Sequence, residues 1–315
     1  MTLNELRYIV AVARERHFGR AAEACHVSQP TLSVAVRKLE DELGVTLFER
    51  RKGEVSITPI GEQIVGQAQR VLEEVAGIRQ TAEQGRDQLS GPLRLGAIYT
   101  IGPYLLPHLI PHLARSAPQM PLVVEENYTA VLSEKLKQGE LDVIIISLPF
   151  DEPGVRTLPL YKEPFVLLIP SSHPFNQYDE IEIDQLKGED VLLLGAGHCF
   201  RDQVLEVCPD CLGKTSDGRP HQALESSSLE TIRYMVASGL GVTILPCTAA
   251  GAERFSERLL QVKRFAGKPP HRVVALAWRK SFPRPEAINA VREAILSAPL
   301  SCIRPLDQPR RILGK

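Results

Sequence analysis

Two cysteines and their neighbours offer the clearest chemistry in this chain. Gly195-Ala196-Gly197-His198-Cys199-Phe200-Arg201-Asp202-Gln203 follows a hydrophobic run, Val191 to Leu194, and leads into a helix-competent stretch that reaches Cys208. That order reads as strand, tight turn and helix N-terminus. A thiol at a helix start sits where unpaired backbone N–H groups and the helix dipole favour negative charge. His198 and Arg201 are expected to add positive charge and so populate the thiolate, the form that attacks peroxides. Cys199 therefore reads as a reactive thiol. In one continuous helix, Cys199 and Cys208 have Cα atoms about 13 Å apart, whereas a disulfide needs them within roughly 7 Å. If both belong to that helix, they can bridge only when it unwinds, so oxidation would force a change of shape. Pro209 and Asp210 mark a helix end directly after Cys208. The competing reading, two cysteines packed inertly in a core, does not account for the glycine turn, the flanking His and Arg, or the position at a helix start.

Gly197-His198-Cys199-Phe200-Arg201-Asp202-Gln203 with Cys208 resembles the sensor segment of the hydrogen-peroxide-responsive LysR-type transcriptional regulators. The resemblance implies that Cys199 is the peroxidatic cysteine and Cys208 the resolving one. Cys211 departs from that pattern and leaves a Cys208–Cys211 pair open. A zinc site drawn from His198, Cys199, Cys208, Cys211 and His221 is a further alternative, made awkward by the helix expected between the first two cysteines and the rest.

The elements that must position this chemistry belong to a chain of 315 residues, too long for one ordinary core, so two or three domains are expected. Net charge is −1 with 24 % charged residues, which suits a soluble protein and confines any nucleic-acid surface to a local patch. No apolar run approaches the ~20 residues of a membrane span. Met1-Thr2-Leu3-Asn4-Glu5 carries no signal-peptide pattern. The six cysteines are too scattered for a secreted disulfide framework. A cytoplasmic, reduced protein without membrane contact is expected. Cys247 and Cys302 have no motif around them and read as inert.

In the first sixty residues, Leu3, Leu6, Ile9 or Val10 and Ala13 give a first amphipathic helix, and Phe18 to Cys25 a second, short one. His26-Val27-Ser28 makes a tight connection. Ser28 is a good N-cap and Pro30 sits in a first turn, so a third helix is expected over Thr31 to Leu43, with Leu32, Val36, Leu39 and Leu43 inward and Gly44 ending it. Its outward face carries Gln29, Pro30, Thr31, Ser33, Val34 and Arg37, the short groups and arginine of a recognition helix, with Lys38 within reach of a phosphate. Apolar alternation around Arg50-Arg51-Lys52-Gly53-Glu54 predicts a hairpin wing able to touch the backbone of DNA. Phe18-Gly19-Arg20-Ala21-Ala22, Val27 to Ser33, Leu47-Phe48-Glu49-Arg50 and Thr58-Pro59-Ile60-Gly61 resemble the winged helix-turn-helix of LysR-type regulators. By that resemblance Gln29, Pro30, Thr31, Ser33, Arg37 and Arg50 contact double-stranded promoter DNA, and Cys25 is structural.

From Pro59, Ile64, Ala68, Val71, Val75, Ile78 and Ala82 form a heptad seam, which predicts a long linker helix pairing with a second copy. Residues 93 to 298 alternate strand and helix patterns, which predicts a mostly parallel sheet with helices on both faces. The fold class expected is α/β with an all-α winged helix-turn-helix at the N-terminus: residues 1–58 DNA-binding, 59–89 linker and 90–300 regulatory, with a flexible tail over 301–315. The family resemblance implies two periplasmic-binding-protein-like subdomains, about 90–163 with 268–300, and 164–267, with a cleft between them. Ligands in such folds lie at the carboxyl ends of strands. Thr100, Thr129 and His198 follow strands there, and with Cys199, Arg201 and Asp202 they are the candidate peroxide-binding and peroxide-activating set.

The chain therefore reads as a transcription activator of the oxidative-stress response, with no cofactor and no metal, sensing hydrogen peroxide through a reversible Cys199–Cys208 disulfide. The alternative is a regulator of the same family gated by a small metabolite in the cleft, with incidental cysteines; from another class, a thiol peroxidase would turn over. The resemblance further implies a homodimer or homotetramer, RNA polymerase as a partner, and a glutaredoxin or thioredoxin reducing system.

Overall fold

Thr2 opens the first helix: its hydroxyl accepts the Glu5 N–H at 3.3 Å while the Glu5 carboxylate accepts the Thr2 N–H at 2.7 Å, satisfying two donors that a helix start leaves free. This is α1, Leu3–Glu15. The computed structural model describes residues 1–51, 54–84, 88–209, 225–250 and 259–307, which fall into two compact units, Met1–Gly85 and Arg86–Lys315.

In the first unit, α2 (Phe18–Ala24) starts on the His17 ring nitrogen, which accepts the N–H groups of Gly19 and Arg20. Helix α3, Gln29–Leu43, begins two residues before the expected Thr31, with Ser28 capping the Thr31 N–H at 3.3 Å and Gly44 closing it at φ +68°. Leu32, Val36 and Leu39 are fully buried, but Leu43, expected inward, is 38 % exposed because the helix ends there and has run past the core. Burying each such aliphatic side chain contributes about 1.5–3 kcal/mol, so Leu39→Ala alone would cost about 2–5 kcal/mol. Strands β1 (Phe48–Arg51) and β2 (Glu54–Ile57) pair antiparallel with Phe48 opposite Ile57; residues 52 and 53 lie outside the described residues. Helix α4 runs Pro59–Gln84. Its expected seam divides: Ala68 is buried and Ile64 packs on the unit's own core, while Val71 and Ile78 stand exposed, Ile78 by 69 %. Only the second half of the seam is left for another helix.

The second unit holds β3 (Leu93–Ile98), α5 (Gly102–Ser116), β4 (Leu122–Asn127), α6 (Thr129–Lys137), β5 (Val143–Ser147) and β6 (Val155–Pro170). There follow β7 (Glu180–Ile181), β8 (Leu193–Leu194), α7 (Cys199–Val207), β9 (Glu225–Ser226), α8 (Leu229–Ala237), β10 (Thr243–Pro246) and α9 (Cys247–Ala250). The unit ends with β11 (Leu260–Phe265), β12 (His271–Arg279), α10 (Pro285–Leu296) and β13 (Arg304–Pro305). The main sheet runs β4-β3-β5-β12-β6-β11-β7, with β10 and β13 also on β6.

The mostly parallel expectation fails in the middle of this sheet. β3 pairs parallel with β4 and β5, but β12 pairs antiparallel with β5 and β6, and β10, β11 and β13 are antiparallel to β6. The cause is β6 itself. Its 16 residues pass out of one half, where residues 155–164 pair with β12, into the other, where residues 165–170 pair with β10 and β11. Two hydrophobic cores result. One gathers Leu95, Ile144, Leu276 and Trp278; the other gathers Phe165, Leu167, Phe200, Val204 and Val242. The tail expected to be flexible from residue 301 is in part structured: β13 pairs Arg304 with Lys162 and Pro305 with Tyr161, and Cys302 is disulfide-bonded to Cys247. Neither of these two cysteines is the inert, isolated thiol expected. Residues 308–315 lie outside the described residues. Among the described residues no helix is long and apolar enough to cross a membrane.

Candidate functional site

Two parallel neighbouring strands end in the same dipeptide. β3 runs into Tyr99-Thr100 and β4 into Asn127, then Tyr128-Thr129, so both pairs sit at one carboxyl edge of the sheet. From the other core, β8 ends in Gly195-Ala196-Gly197 and delivers His198 and Cys199 to the same place. Gly197 has φ +95°, a left-handed backbone conformation that favours glycine. The pocket so formed is lined by Thr100, Thr129, His198 and Cys199 with Ile98, Tyr99, Asn127, Tyr128 and Gly197, and its cavity volume is about 10 Å³. Pockets for drug-sized ligands span roughly 300–1,000 Å³. This one fits a much smaller molecule.

Its polar groups are held for a purpose. Thr100 is buried, and Arg272 donates to its hydroxyl and to its carbonyl, both at 2.8 Å. Arg272 in turn donates from Nε to Glu163 at 2.7 Å, both side chains being almost fully buried. A buried ion pair fixes geometry more than it adds stability. Because Arg272 already donates to the Thr100 oxygen, that hydroxyl is free to donate its own proton into the pocket. Thr129 Oγ1 and His198 Nε2 are buried with no hydrogen-bond partner among the described residues. Unpaired buried polar atoms cost about 1–3 kcal/mol each, which a small hydrogen-bonding ligand would relieve.

His198 corrects an expectation. Burial, opposed by a hydrogen bond to the Ser227 backbone, pushes its pKa below the ordinary imidazole value. With Nε2 unpartnered, the Ser227 bond falls to Nδ1, and the neutral ring presents Nε2 as an acceptor. It brings no positive charge to Cys199. Tyr128 packs tilted against the His198 ring at 4.7 Å between centroids and Tyr99 edge-on at 6.0 Å, which restricts its plane. Arg201 also turns elsewhere, donating to the Leu194 carbonyl at 2.6 Å, and Asp202 is exposed. The structure brings together Thr100, Thr129, His198 and Cys199 of the candidate set, and leaves Arg201 and Asp202 out of the pocket lining.

Helix α7 connects the two cysteines. Cys199, a free thiol, starts it and packs against the first core, while Cys208 caps its far end, buried in the second core. Phe200 locks the helix to the second core, edge-on to Phe165 at 5.1 Å and under the Arg272 guanidinium at 5.4 Å. Gln203 reaches back to the other half, donating to Ser147 Oγ at 2.9 Å and to the Leu148 carbonyl at 3.1 Å. No Cys199–Cys208 bridge is present; Cys208 is instead engaged in a different disulfide. Cys211 and His221 of the zinc alternative lie outside the described residues.

On the N-terminal unit, Gln29, Pro30, Thr31 and Arg37 project from the exposed face of α3, with Ser33 half-buried and Val34 68 % exposed. Lys38 is paired with the buried Glu5 at 3.3 Å, which ties it to the helical core. Arg50 stands in the backbone of β1, its side chain outside the described residues. Sequence reasoning missed Tyr99, Tyr128, Glu163 and Arg272. The repeated Tyr-Thr at two strand ends was a readable sign of the first two; Arg272 lies 172 residues from Thr100 and had none.

Comparison with known proteins finds similarity over most of the chain. Residues 3–62 match the family described as bacterial regulatory helix-turn-helix protein, lysR family, and residues 86–299 match the LysR substrate binding domain. The chain is 40 % identical over 296 residues to the DNA-binding transcriptional dual regulator OxyR of Escherichia coli K12, covering 94 % of this chain and 95 % of that one. Among solved structures, a full-length OxyR variant from Pseudomonas aeruginosa superimposes with a TM-score of 0.78 at 56 % identity, covering 98 % and 99 % of the two chains. A hydrogen-peroxide-bound OxyR mutant from Corynebacterium glutamicum gives 0.62 at 32 % identity, covering 94 % and 91 %. The chain belongs to the LysR family of bacterial helix-turn-helix regulators, as a relative of its OxyR members.

Proposed function

We propose that this protein is a DNA-binding transcription activator that senses hydrogen peroxide through a reversible Cys199–Cys208 disulfide. The observation that carries it is the pocket: a free thiol beside two polar atoms without a partner among the described residues, Thr129 Oγ1 and His198 Nε2, and a threonine hydroxyl aimed by Arg272. Peroxide is small, neutral, and both donor and acceptor, as those groups require. The Cys199 thiolate attacks one peroxide oxygen, the O–O bond breaks, and the leaving hydroxide takes a proton to become water, giving a sulfenic acid at Cys199. The Cys208 thiol then attacks the sulfenic sulfur and a second water leaves. In this structure Cys208 is already disulfide-bonded, so a dithiol reductant of the glutaredoxin or thioredoxin class must first release it.

Bridging two cysteines at opposite ends of α7 unwinds that helix, because a disulfide needs Cα atoms within roughly 7 Å. It also draws Cys199 off the first core and breaks the Gln203 tether. Such a rearrangement respaces regulatory units in a homodimer or homotetramer joined by the exposed half of α4, and so resets the recognition helices on promoter DNA and their contact with RNA polymerase. Gln29, Pro30, Thr31, Ser33, Arg37 and Arg50 are the DNA-contacting set. The small pocket disfavours a metabolite of ordinary size as the gate. The test is disulfide mapping of the reduced protein after one equivalent of peroxide. A Cys199–Cys208 bridge is expected; Cys199 still reduced, with no bridge formed, would overturn the reading.

A further inference from the structure

The Cys247–Cys302 disulfide sits where the two halves of the regulatory unit meet. Cys302 belongs to the C-terminal segment that lies on β6 at the crossing: Arg304 and Pro305 pair with Lys162 and Tyr161, and the Leu306 N–H donates to the Leu160 carbonyl at 2.9 Å. Between them, Ile303 touches both cores. Cys247 starts α9 on the second core. The bridge is therefore a strap across the crossing, closing a loop of 55 residues.

The next residue links the strap to the pocket. Thr248 donates from its backbone N–H at 3.3 Å, and from its hydroxyl, to Glu163 Oε1. The other oxygen of Glu163 accepts from Arg272, and Arg272 holds Thr100. Cys302, Cys247, Thr248, Glu163, Arg272 and Thr100 thus form one contiguous path, its charged members almost fully buried. Such a path transmits a displacement because the buried pair has nowhere else to place its charges.

We propose that Cys247–Cys302 is a second redox site, opened by a dithiol reductant, whose state sets the reactivity of Cys199. Cys302 is only partly buried and Cys247 is buried, so the reductant's thiolate attacks Cys302 Sγ. The S–S bond breaks and Cys247 leaves as a thiolate, which is then protonated. The second thiol of the reductant attacks the mixed disulfide and frees Cys302, leaving the reductant as a disulfide. Two electrons and two protons pass to the pair, and exchange with an oxidised dithiol restores it. With the strap open, Thr248 loosens from Glu163, Arg272 is less firmly placed on Thr100, and peroxide is less well oriented.

The pair itself is tested by mapping alone, and its effect on Cys199 rests on the peroxide reading. Full-length protein purified without reductant is mapped under non-reducing conditions and titrated anaerobically with dithiothreitol while far-UV circular dichroism is followed. The bridge is expected to be present and to open with the fold intact. After removal of reductant, sulfenic acid formation at Cys199 is timed with a carbon-acid trap, in wild type and in C302S, each with and without dithiol treatment. Opening the bridge should slow the wild type about two- to thirtyfold. C302S should show the slow rate from the start and be unaffected by dithiol, which controls for every other disulfide; C247S repeats the comparison if C302S folds poorly. Absence of the bridge, or bridge-free variants as fast as bridged wild type, overturns the proposal. If Cys199 is unreactive in every form, the peroxide reading falls, and the mapping still decides whether this pair is a redox couple.

Discussion

Replacing Gln203 by alanine should speed the switch without touching the chemistry at Cys199. The Gln203 amide is the tether that holds α7 to the opposite half, through bonds to Ser147 Oγ and the Leu148 carbonyl. Two neutral hydrogen bonds are worth about 0.5–1.5 kcal/mol each. Against this, Gln203 Oε1 is itself buried without a partner among the described residues, and removing it returns part of that stabilisation. A net loss of about 1–2 kcal/mol falls on the form in which α7 is helical, which is five- to thirtyfold in the equilibrium for opening the helix. The bridged form has already lost the tether and is unaffected. Resolution by Cys208 should accelerate by up to that factor. Because 30 mV corresponds to about 1.4 kcal/mol for this two-electron couple, the midpoint of the Cys199–Cys208 pair should become more negative by about 20–40 mV. Rapid acid quench, alkylation of free thiols and mass spectrometry separate the two steps. Sulfenic acid formation should stay within about twofold of wild type. Unchanged resolution with an unchanged midpoint would refute the idea that unwinding of α7 limits the switch.

Three further outcomes are expected. Thr129→Val keeps the shape and removes a hydroxyl that has no hydrogen-bond partner among the described residues, so peroxide oxidation of Cys199 should slow by up to about tenfold, the worth of one hydrogen bond; the denaturant midpoint should not fall, and a parallel loss of stability would point to a structural role. The His198 pKa is lowered by burial, so the unfolded chain binds the extra proton first. Its contribution to stability is complete above the ordinary imidazole value near 6.5 and is lost as pH falls toward the lower folded value. Urea midpoints across that range should therefore fall on acidification more steeply in wild type than in His198→Gln. Arg37→Ala, on the exposed face of α3, should weaken operator binding by about 1–3 kcal/mol if the residue reads a base edge, measured by fluorescence anisotropy at fixed salt; a loss equal on operator and random DNA would reassign it to the phosphates.

The parts of the molecule that sequence reveals are those whose physics is local. Ser28, Pro30 and Gly44 announce α3 because capping and proline geometry depend on a few neighbouring residues. Gly197 before His198 and Cys199 announces the turn that puts a thiol at a helix start. Thr100 and Thr129 follow strands, and that rule finds them without any view of the pocket. What stayed hidden is set by partners distant in the chain. Arg272 and Glu163 are 109 residues apart and look like surface charges until the fold buries them together. His198 reads as a cation beside a thiol, and only its burial reverses that. The heptad seam of α4 is periodic throughout, yet periodicity cannot say which copies of the apolar residues face the chain's own core. Cys247 and Cys302, with no motif around either, meet only because the last segment returns to β6.

The placement of β12 also constrains how the chain is made. It lies between β5 and β6 in the sheet but follows β6 in sequence, with more than a hundred residues intervening between Glu163 and its partner Arg272. A ribosome adding about 5–20 residues per second therefore exposes the facing edges of β5 and β6 for on the order of ten seconds before the strand that fills the gap exists. Val143 to Ser147 is buried throughout in the finished fold, so for that interval an apolar strand stands with an unpaired edge, the template on which aggregation starts. Newly made chains of this protein should depend on holding chaperones until β12 has emerged, and nonsense fragments that stop short of His271 should be insoluble even though the thiol pocket's own residues are all complete within them.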